Sequence, residues 1–198
     1  AMSGGGIYLS KGSLEIDNDD AAVTDNSAST TVDANKGSCN GGGIYVVGNQ
    51  DFVAKLDLKK GTVISNNFAS NGFAGGVCNG GIMTIADGVQ IIKNTAKTYG
   101  GGIYNTAEWA KLTMNGGLIS ENTSLLDGGG ILNRGKAVMI MNDGVISKNQ
   151  AATHGGGMLM QSYATFEMNG GSFEENFSGG TGGAIRTTDN TWTWVVVI

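Results

Sequence analysis

The chain of 198 residues contains no proline, a single histidine and two cysteines. Charged residues account for only 15% of it, with 12 lysines and arginines against 17 acidic residues and a formal net charge of −5. This balance provides no basic surface for phosphate backbones and argues against nucleic acid as a partner. No apolar run reaches the roughly 18 residues of a membrane-spanning helix, so we expect no membrane insertion by this segment. The 40% of apolar residues nevertheless suffices for a continuous core.

Glycine and asparagine, in contrast, are abundant. The chain has 35 glycines and 19 asparagines, two residue types that favour tight turns. Glycines recur directly before an apolar residue, which we call the anchor of a repeat. The anchors are Ile7, Ile44, Val77, Ile103, Ile131, Met158 and Ile185. They are 37, 33, 26, 28, 27 and 27 residues apart, so the chain is a repeat array whose period settles along its length.

A second repeated block follows the anchors. It reads LTMNGGLISEN from Leu112, MIMNDGVISKN from Met139 and FEMNGGSFEEN from Phe166, with looser copies from Leu56 and Met83. The blocks end in asparagine, at Asn66, Asn94, Asn122, Asn149 and Asn176. Apolar residues alternate over short runs between Asn-Gly or Asp-Gly pairs, a pattern typical of strands and turns. A unit of this size can hardly bury its apolar face alone, and stacking the units encloses a core.

We therefore predict an all-β fold, a right-handed parallel β-helix of about seven coils of roughly 27 residues, as a single domain over residues 1–198. One inward column should contain Ile103, Ile131, Met158 and Ile185, and another should contain Leu112, Met139 and Phe166. Equivalent turns should be occupied by Asn94, Asn122, Asn149 and Asn176, with their amides bonded to the backbone or to each other, because asparagine tolerates a left-handed backbone. Residues 17–40, which are polar and small, are predicted to be a loop insertion. The apolar end of the chain indicates a fragment of a larger surface protein with adjoining domains.

The residues directly after the anchors are largely apolar: they are Tyr8, Tyr45, Cys78, Tyr104, Leu132, Leu159 and Arg186. If the anchors point inward, these side chains point outward and form a stripe along one face. The stripe is either covered by a loop or a neighbouring molecule, or it is a contact surface for a glycan or protein. The candidate binding residues in the second case are Tyr8, Tyr45, Tyr104, Leu132 and Leu159.

Residues that could carry catalysis do not converge in the sequence. His154 is the only histidine and stands in a turn where other repeats carry Tyr99 or Asp127, so we interpret it as a solvated loop residue. Asp57 and Glu167 share a repeat position but lie four coils apart, roughly 19 Å, which is too far for a glycosidase pair.

The remaining acids also give no site. Glu174 and Glu175 are adjacent along a strand and point to opposite sides. A metal site in the predicted loop would have to use Asp17, Asp19 and Asp20. We predict no catalytic residue, no metal and no cofactor.

The two cysteines occupy different repeat positions. Cys39 lies five residues before its anchor and Cys78 one residue after, an offset of six positions around neighbouring coils. A disulfide requires Cα atoms within about 7 Å. Two free thiols are therefore predicted.

One repeat carries two tetrapeptides of a known type. Phe173-Glu174-Glu175-Asn176 and Gly182-Gly183-Ala184-Ile185 match FxxN and GGAI, the paired tetrapeptides of the polymorphic outer membrane proteins of chlamydiae. The other copies carry Ile or Val for Phe and GGGI for GGAI, and they are similar to arrays in surface adhesin-like proteins of gut bacteria and methanogens. The resemblance spans nearly the whole chain and implies a right-handed β-helix exported to a cell surface and used in adhesion. It transfers no catalytic residue, because these motifs are structural.

The function expected from these patterns is that of a non-catalytic adhesin or structural stalk domain of a bacterial cell-surface protein. Its location would be extracellular, and its partner a host protein or a glycan surface. A carbohydrate-active enzyme, either a polysaccharide lyase or a glycoside hydrolase, is the first alternative and would need a deep groove with clustered acids. An ice-binding β-helix is the second and would need a ladder of threonine pairs.

Overall fold

The chain winds into a stack of coils built from parallel sheets. The computed structural model describes residues 3–17, 19–28 and 40–188, and its strands are numbered β1 to β25 in chain order. All pairs between these strands are parallel, each joining one coil to the next. The anchor sheet has seven strands, in the order β2 (Ile7–Leu9), β7 (Ile44–Val46), β11 (Val77–Asn79), β15 (Ile103–Thr106), β18 (Ile131–Arg134), β21 (Met158–Gln161) and β25 (Ile185–Thr187).

Two further sheets close each coil. The second sheet has two halves, and each coil contributes one strand to the first half. These strands are β3 (Ser13–Ile16), β8 (Lys55–Leu58), β12 (Ile82–Ile85), β16 (Lys111–Ser120), β19 (Val138–Ser147) and β22 (Thr165–Met168). Its other half contains β4 (Ala22–Thr24), β9 (Val63–Ser65), β13 (Gln90–Ile92) and β23 (Ser172–Glu174), and β16 and β19 run through both halves with a register shift. The third sheet stacks β5 (Ser27–Ala28), β10 (Phe68–Ala69), β14 (Thr95–Ala96), β17 (Thr123–Ser124), β20 (Gln150–Ala151) and β24 (Phe177–Ser178). A short pair joins β1 (Ser3–Gly4) to β6 (Asn40–Gly41).

The core lies inside the coils, and the predicted inward columns are confirmed. Strand pairing places the members of each column directly over one another. Their side chains are at most 1% exposed, except that the last anchor is partly buried against the same core. The columns are Ile103, Ile131, Met158 and Ile185 in the anchor sheet, and Leu112, Met139 and Phe166 in the second sheet. Apolar residues of similar size thus fill each layer, which gives a continuous close-packed interior.

A row of asparagines, the Asn ladder, runs along the stack at the entry to the third sheet. Its members are Asn26, Asn67, Asn94, Asn122, Asn149 and Asn176. At each step Nδ2 donates to Oδ1 of the next member, for example from Asn94 to Asn122 over 3.0 Å. The same Nδ2 also donates to a backbone carbonyl, such as that of Ile64 at 2.9 Å for Asn94. The predicted bonding of the terminal asparagines is confirmed, and it satisfies polar groups inside the stack.

The left-handed backbone falls one residue before each ladder asparagine. Asp25, Asn66, Lys93, Glu121, Lys148 and Glu175 have φ between 49° and 58°. The prediction that Asn66 is a terminal asparagine is therefore wrong, because Asn67 occupies that place. The reason given for the asparagines is also wrong, since the strained φ belongs to mostly charged residues that the turn exposes. One consequence is an ion pair across coils, with Lys93 Nζ 3.9 Å from Glu121 Oε2.

The segment 17–40 contains part of the first coil and is not simply a loop. Strands β4 and β5 lie within it and pair with β9 and β10. Its polar, small residues disguise these strands because one face of the first coil is exposed to solvent. Residues 18 and 29–39 of the predicted loop lie outside the described residues.

The number of regular coils is smaller than predicted. The period of about 27 residues holds for about five turns, although the anchor sheet has seven strands. Ile44 and Val77 are register partners 33 residues apart, because a small hairpin closed by the antiparallel bridge of Gly48 and Val53 lengthens this coil. The right-handed winding stays a prediction. No helix in the described ranges is long and apolar enough to cross a membrane.

Candidate functional site

The predicted stripe exists as a row of paired residues on the outer side of the anchor sheet. The row runs in register through Tyr8, Tyr45, Cys78, Tyr104, Leu132 and Leu159. Tyr8 is 47% exposed, whereas Tyr45 and Tyr104 are each 6% exposed. Leu132 and Leu159 are also buried. The stripe therefore forms a second hydrophobic cluster outside the main core.

Aromatic loop residues pack against part of the stripe. The ring centroid of Phe73 lies 5.1 Å from that of Tyr104 and 5.5 Å from that of Tyr99, on which it stacks. Phe52, from the small hairpin, packs against the same cluster. Of the two alternatives for the stripe, a covering loop accounts for the burial of Tyr104. A binding role for the stripe stays a prediction, and Tyr8 is its most accessible residue.

The phenol of Tyr45 is held in its neutral form. Burial raises the pKa of Tyr45 to about 12, and the neighbouring Tyr8 adds a smaller contribution in the same direction. The two ring centroids are 5.4 Å apart. A phenol that keeps its proton throughout the neutral range contributes packing and a hydrogen-bonding hydroxyl.

Cys78 is disulfide-bonded, so the prediction of two free thiols is wrong. Cys39, the other cysteine of the chain, lies outside the described residues. Among the described residues, Gly41 lies close to Cys78 although it precedes the anchor Ile44 by three positions. A Cβ on Gly41 would collide with the carbonyl oxygen of Ile44 and lie 3.2 Å from the backbone nitrogen of Cys78.

His154 lies at an exposed turn, as predicted, and has a partner that the sequence did not reveal. It forms bridges with Asp127 on one neighbouring coil and Thr181 on the other. Its Nδ1 lies 3.4 Å from Oδ1 of Asp127 but makes no hydrogen bond with the described residues, whereas the hydroxyl of Thr153 donates to this carboxylate. The histidine side chain is 41% exposed. The backbone bridges of His154 with Asp127 and Thr181 thus connect the turns of three successive coils.

The other predicted acids are also where the coil alignment places them. Asp57 and Glu167 belong to one column, which begins with Glu15 next to Asp57, and the residues between Asp57 and Glu167 are Thr84, Thr113 and Ile140. The two carboxylates are thus four coils apart, as predicted. The two stacked threonines are fewer than an ice-binding ladder would need.

Asp19 and Asp20 lie in the turn between β3 and β4. Within residues 3–17, 19–28 and 40–188, no three His, Cys, Asp or Glu side chains come together in a way that could hold a metal ion.

A groove of about 440 Å³ lies over the turns in the middle of the second sheet. Asp87 and Asp143 line it on either side of Gly116, two coil rises or about 9.6 Å apart. Each carboxylate accepts a hydrogen bond from the next backbone N–H, at 2.9 Å for Asp87 and 2.7 Å for Asp143. In the sequence, an Asp-Gly dipeptide marks each of these two positions. The missing side chain at Gly116 opens the space between the two acids.

The comparison with protein families adds one match. Residues 88–106 match the Chlamydia polymorphic membrane protein repeat, and they include Lys93, Asn94 and the anchor Ile103. No curated protein and no solved structure gives a significant match. Repeats of this kind occur in outer-membrane and surface autotransporter proteins. The expected similarity to these repeats is confirmed over residues 88–106, and the chain is a parallel β-solenoid.

Proposed function

We propose that this chain is a non-catalytic adhesin or structural stalk domain of a bacterial cell-surface protein, adjoined by further domains of the same polypeptide. The observation that carries the proposal is how the strictly repeated residues are used. The anchors fill the core, the ladder asparagines satisfy buried polar groups, and Gly101 lies where a Cβ would collide with the backbone of the next coil. The repeat thus encodes a scaffold, and binding falls to residues that vary between coils.

The expected extracellular location has two supports. The first is the family match, since repeats of this type occur in surface proteins. The second is the disulfide of Cys78, because disulfides persist in oxidising compartments and are rare in reducing cytosol.

The shape of the stack suits display. Seven anchor strands imply six rises, about 29 Å from the first to the last. Along this length every coil presents its turns to the outside, so contacts can be spaced regularly for a host protein or a glycan. Tyr8, as the accessible end of the stripe, is one candidate contact.

The proposal is tested on cells and on the purified protein. Protease added to intact cells that express the full-length protein should remove this domain, while a cytosolic control protein persists. The purified chain should leave pectin, other uronates and neutral glycans intact, with or without calcium. Protection of the domain in intact cells would contradict the surface location, and turnover of a glycan would contradict the non-catalytic role.

The groove favours a second candidate, a glycoside hydrolase. Inverting enzymes hold two carboxyl groups roughly 6.5 to 9.5 Å apart, close to the separation expected for Asp87 and Asp143. Both carboxylates already accept a backbone hydrogen bond within their own turns, which gives them a structural use. Turnover abolished by both Asp87→Asn and Asp143→Asn would establish this second candidate. Turnover that survives both changes would place any activity elsewhere.

A further inference from the structure

The sequence contains five Asn-Gly dipeptides, a pair prone to spontaneous chemical change. Glycine has no side chain, so nothing on it shields its backbone nitrogen from the carboxamide of the preceding asparagine. In the folded chain, burial provides that protection at four of the pairs. Their glycines are Gly41, Gly72, Gly80 and Gly116. The fifth glycine, Gly170, is partly exposed, and Asn169 before it is exposed, so the fold leaves this pair open to solvent.

The backbone distinguishes this pair from one with the same local sequence. Asn115 and Asn169 both stand in the tetrapeptide Met-Asn-Gly-Gly, and they belong to one stack of amides, two coils apart. Asn115 and Gly116 lie inside the continuous strand β16, which pairs with strands on both neighbouring coils. Asn169 and Gly170 instead lie between β22 and β23. The backbone rotation that a paired strand resists is therefore easier at Asn169.

The backbone nitrogen of Gly170 is also unengaged. Its N–H donates to no acceptor within the part of the chain that the structure describes. The N–H of Gly80, in contrast, donates to the carbonyl of Val46 over 2.8 Å. A nitrogen held in a hydrogen bond keeps its proton and its position, whereas an unbonded nitrogen is available as a nucleophile. Solvent exposure, backbone freedom and an unbonded nitrogen thus coincide at Asn169 and Gly170.

The side chain of Asn169 depends on its amide protons. Its Nδ2 donates to Oδ1 of Asn142 over 2.9 Å and to Oε1 of Glu167 over 3.0 Å. A carboxylate in its place would have no proton to donate, so it would lose both bonds. It would also set a second negative charge beside Glu167. Loss of the amide would therefore change both the charge and the bonding of this turn.

We propose that Asn169 is a site of spontaneous deamidation in the folded protein, and that the product loosens the turn between β22 and β23. The nitrogen of Gly170 gives up its proton to water and attacks Cγ of Asn169. The new C–N bond closes a cyclic imide as the bond from Cγ to Nδ2 breaks, and the side-chain nitrogen takes a proton from water and leaves as ammonia. Water then opens the imide at either carbonyl and yields aspartate or isoaspartate. This modification goes beyond the proposed surface function and does not depend on it.

The test is peptide mapping by mass spectrometry of the purified chain after incubation at mildly alkaline pH, beside a sample kept unfolded in urea. In the folded protein, Asn169 should be converted at least tenfold faster than Asn115 and Asn79. In urea, Asn115 and Asn169 should react at similar rates, because their local sequences are the same. An Asn169 that reacts no faster than Asn115 in the folded protein, or that reacts in the unfolded sample alone, would overturn the site.

The consequence for the turn is tested by thermal unfolding of variants. Asn169→Asp should lower the melting temperature, because it removes both bonds and adds a charge beside Glu167. The same change should lower it less in a Glu167→Gln background, where an amide replaces the facing carboxylate. A melting temperature of Asn169→Asp equal to that of the parent chain would overturn the loosened turn. An equal loss in both backgrounds would overturn the repulsion as its cause.

Discussion

Replacing Asn122 with alanine should destabilise the solenoid strongly, because this side chain makes four hydrogen bonds in a buried place. Its Oδ1 accepts from the backbone N–H and from Nδ2 of Asn94, at 2.9 and 3.0 Å. Its Nδ2 donates to the carbonyl of Ile91 and to Oδ1 of Asn149, both at 2.9 Å. Alanine would leave the Asn94 N–H without this acceptor and the Ile91 carbonyl without this donor. An unsatisfied buried group costs about 1 to 3 kcal/mol, so we expect a loss of about 3 kcal/mol.

The measurement is thermal unfolding followed by circular dichroism, with Asn142→Ala as the matched control. Asn142 also belongs to a stack of asparagine amides, with Asn115 at 2.7 Å and Asn169 at 2.9 Å, but that stack is exposed. At about 2 to 4 °C per kcal/mol, Asn122→Ala should lower the melting temperature by about 6 to 12 °C. The control should change stability by less than about 0.5 kcal/mol. Equal effects of the two changes would refute the reasoning, since burial would then not decide the cost.

Three further changes test the core, the glycines and the buried phenol. Gly101→Ala would push a Cβ against the Gly129 carbonyl oxygen and should lower the free energy of unfolding in urea by about 3 kcal/mol. Gly12→Ala is the control, because Gly12 has φ of 79° but no atom within 4 Å of its Cβ position, and it should cost about 1 kcal/mol. Equal urea midpoints for the two variants would contradict the steric argument. Phe166→Ala should lower the free energy of unfolding by about 3 to 5 kcal/mol because the ring is 1% exposed. Phe166→Leu should lower it by less than half as much, and a loss under about 1 kcal/mol for Phe166→Ala would contradict the core position of the ring. The pKa of Tyr45 is raised to about 12 from about 10 in the unfolded chain, so the native state keeps its proton longer and stability should fall as pH rises, by about 1.4 kcal/mol at pH 11. Tyr45→Phe should remove this loss, and an unchanged pH dependence would count against a buried Tyr45.

The repeat predicted the coil stack well because identical positions in successive coils meet the same environment. The two columns through Ile103 and Leu112 needed only the spacing of similar residues, since any residue that recurs at one period recurs at one place. The same spacing could have revealed a second row of buried amides, in which Asn79, Asn105 and Asn133 are joined by bonds of 2.8 Å. Each of these lies two residues after its anchor. The recurrence of similar residues at one period was therefore enough to predict most of the fold.

Predictions failed where the sequence leaves its period. Asn66 and Asn67 are adjacent, and only the three-dimensional path decides which one faces inward. The cover over the stripe comes from Phe52 and Phe73, which lie in irregular loops that no other coil repeats. The disulfide of Cys78 was missed because residue counting does not show which parts of neighbouring coils lie close together. The candidate binding surface was therefore harder to predict than the scaffold.

The Asn ladder gives the stack a direction. Every Nδ2 from Asn26 to Asn149 points toward the later coil, and every Oδ1 from Asn67 to Asn176 receives from the earlier one. The two ends of the row are thus chemically unlike, one offering acceptor oxygen and the other amide protons. A coil added at the Asn176 end continues the row only if it brings an acceptor. Elongation must therefore proceed head to tail, and two such stacks meeting end to end in opposite senses would set like groups against each other.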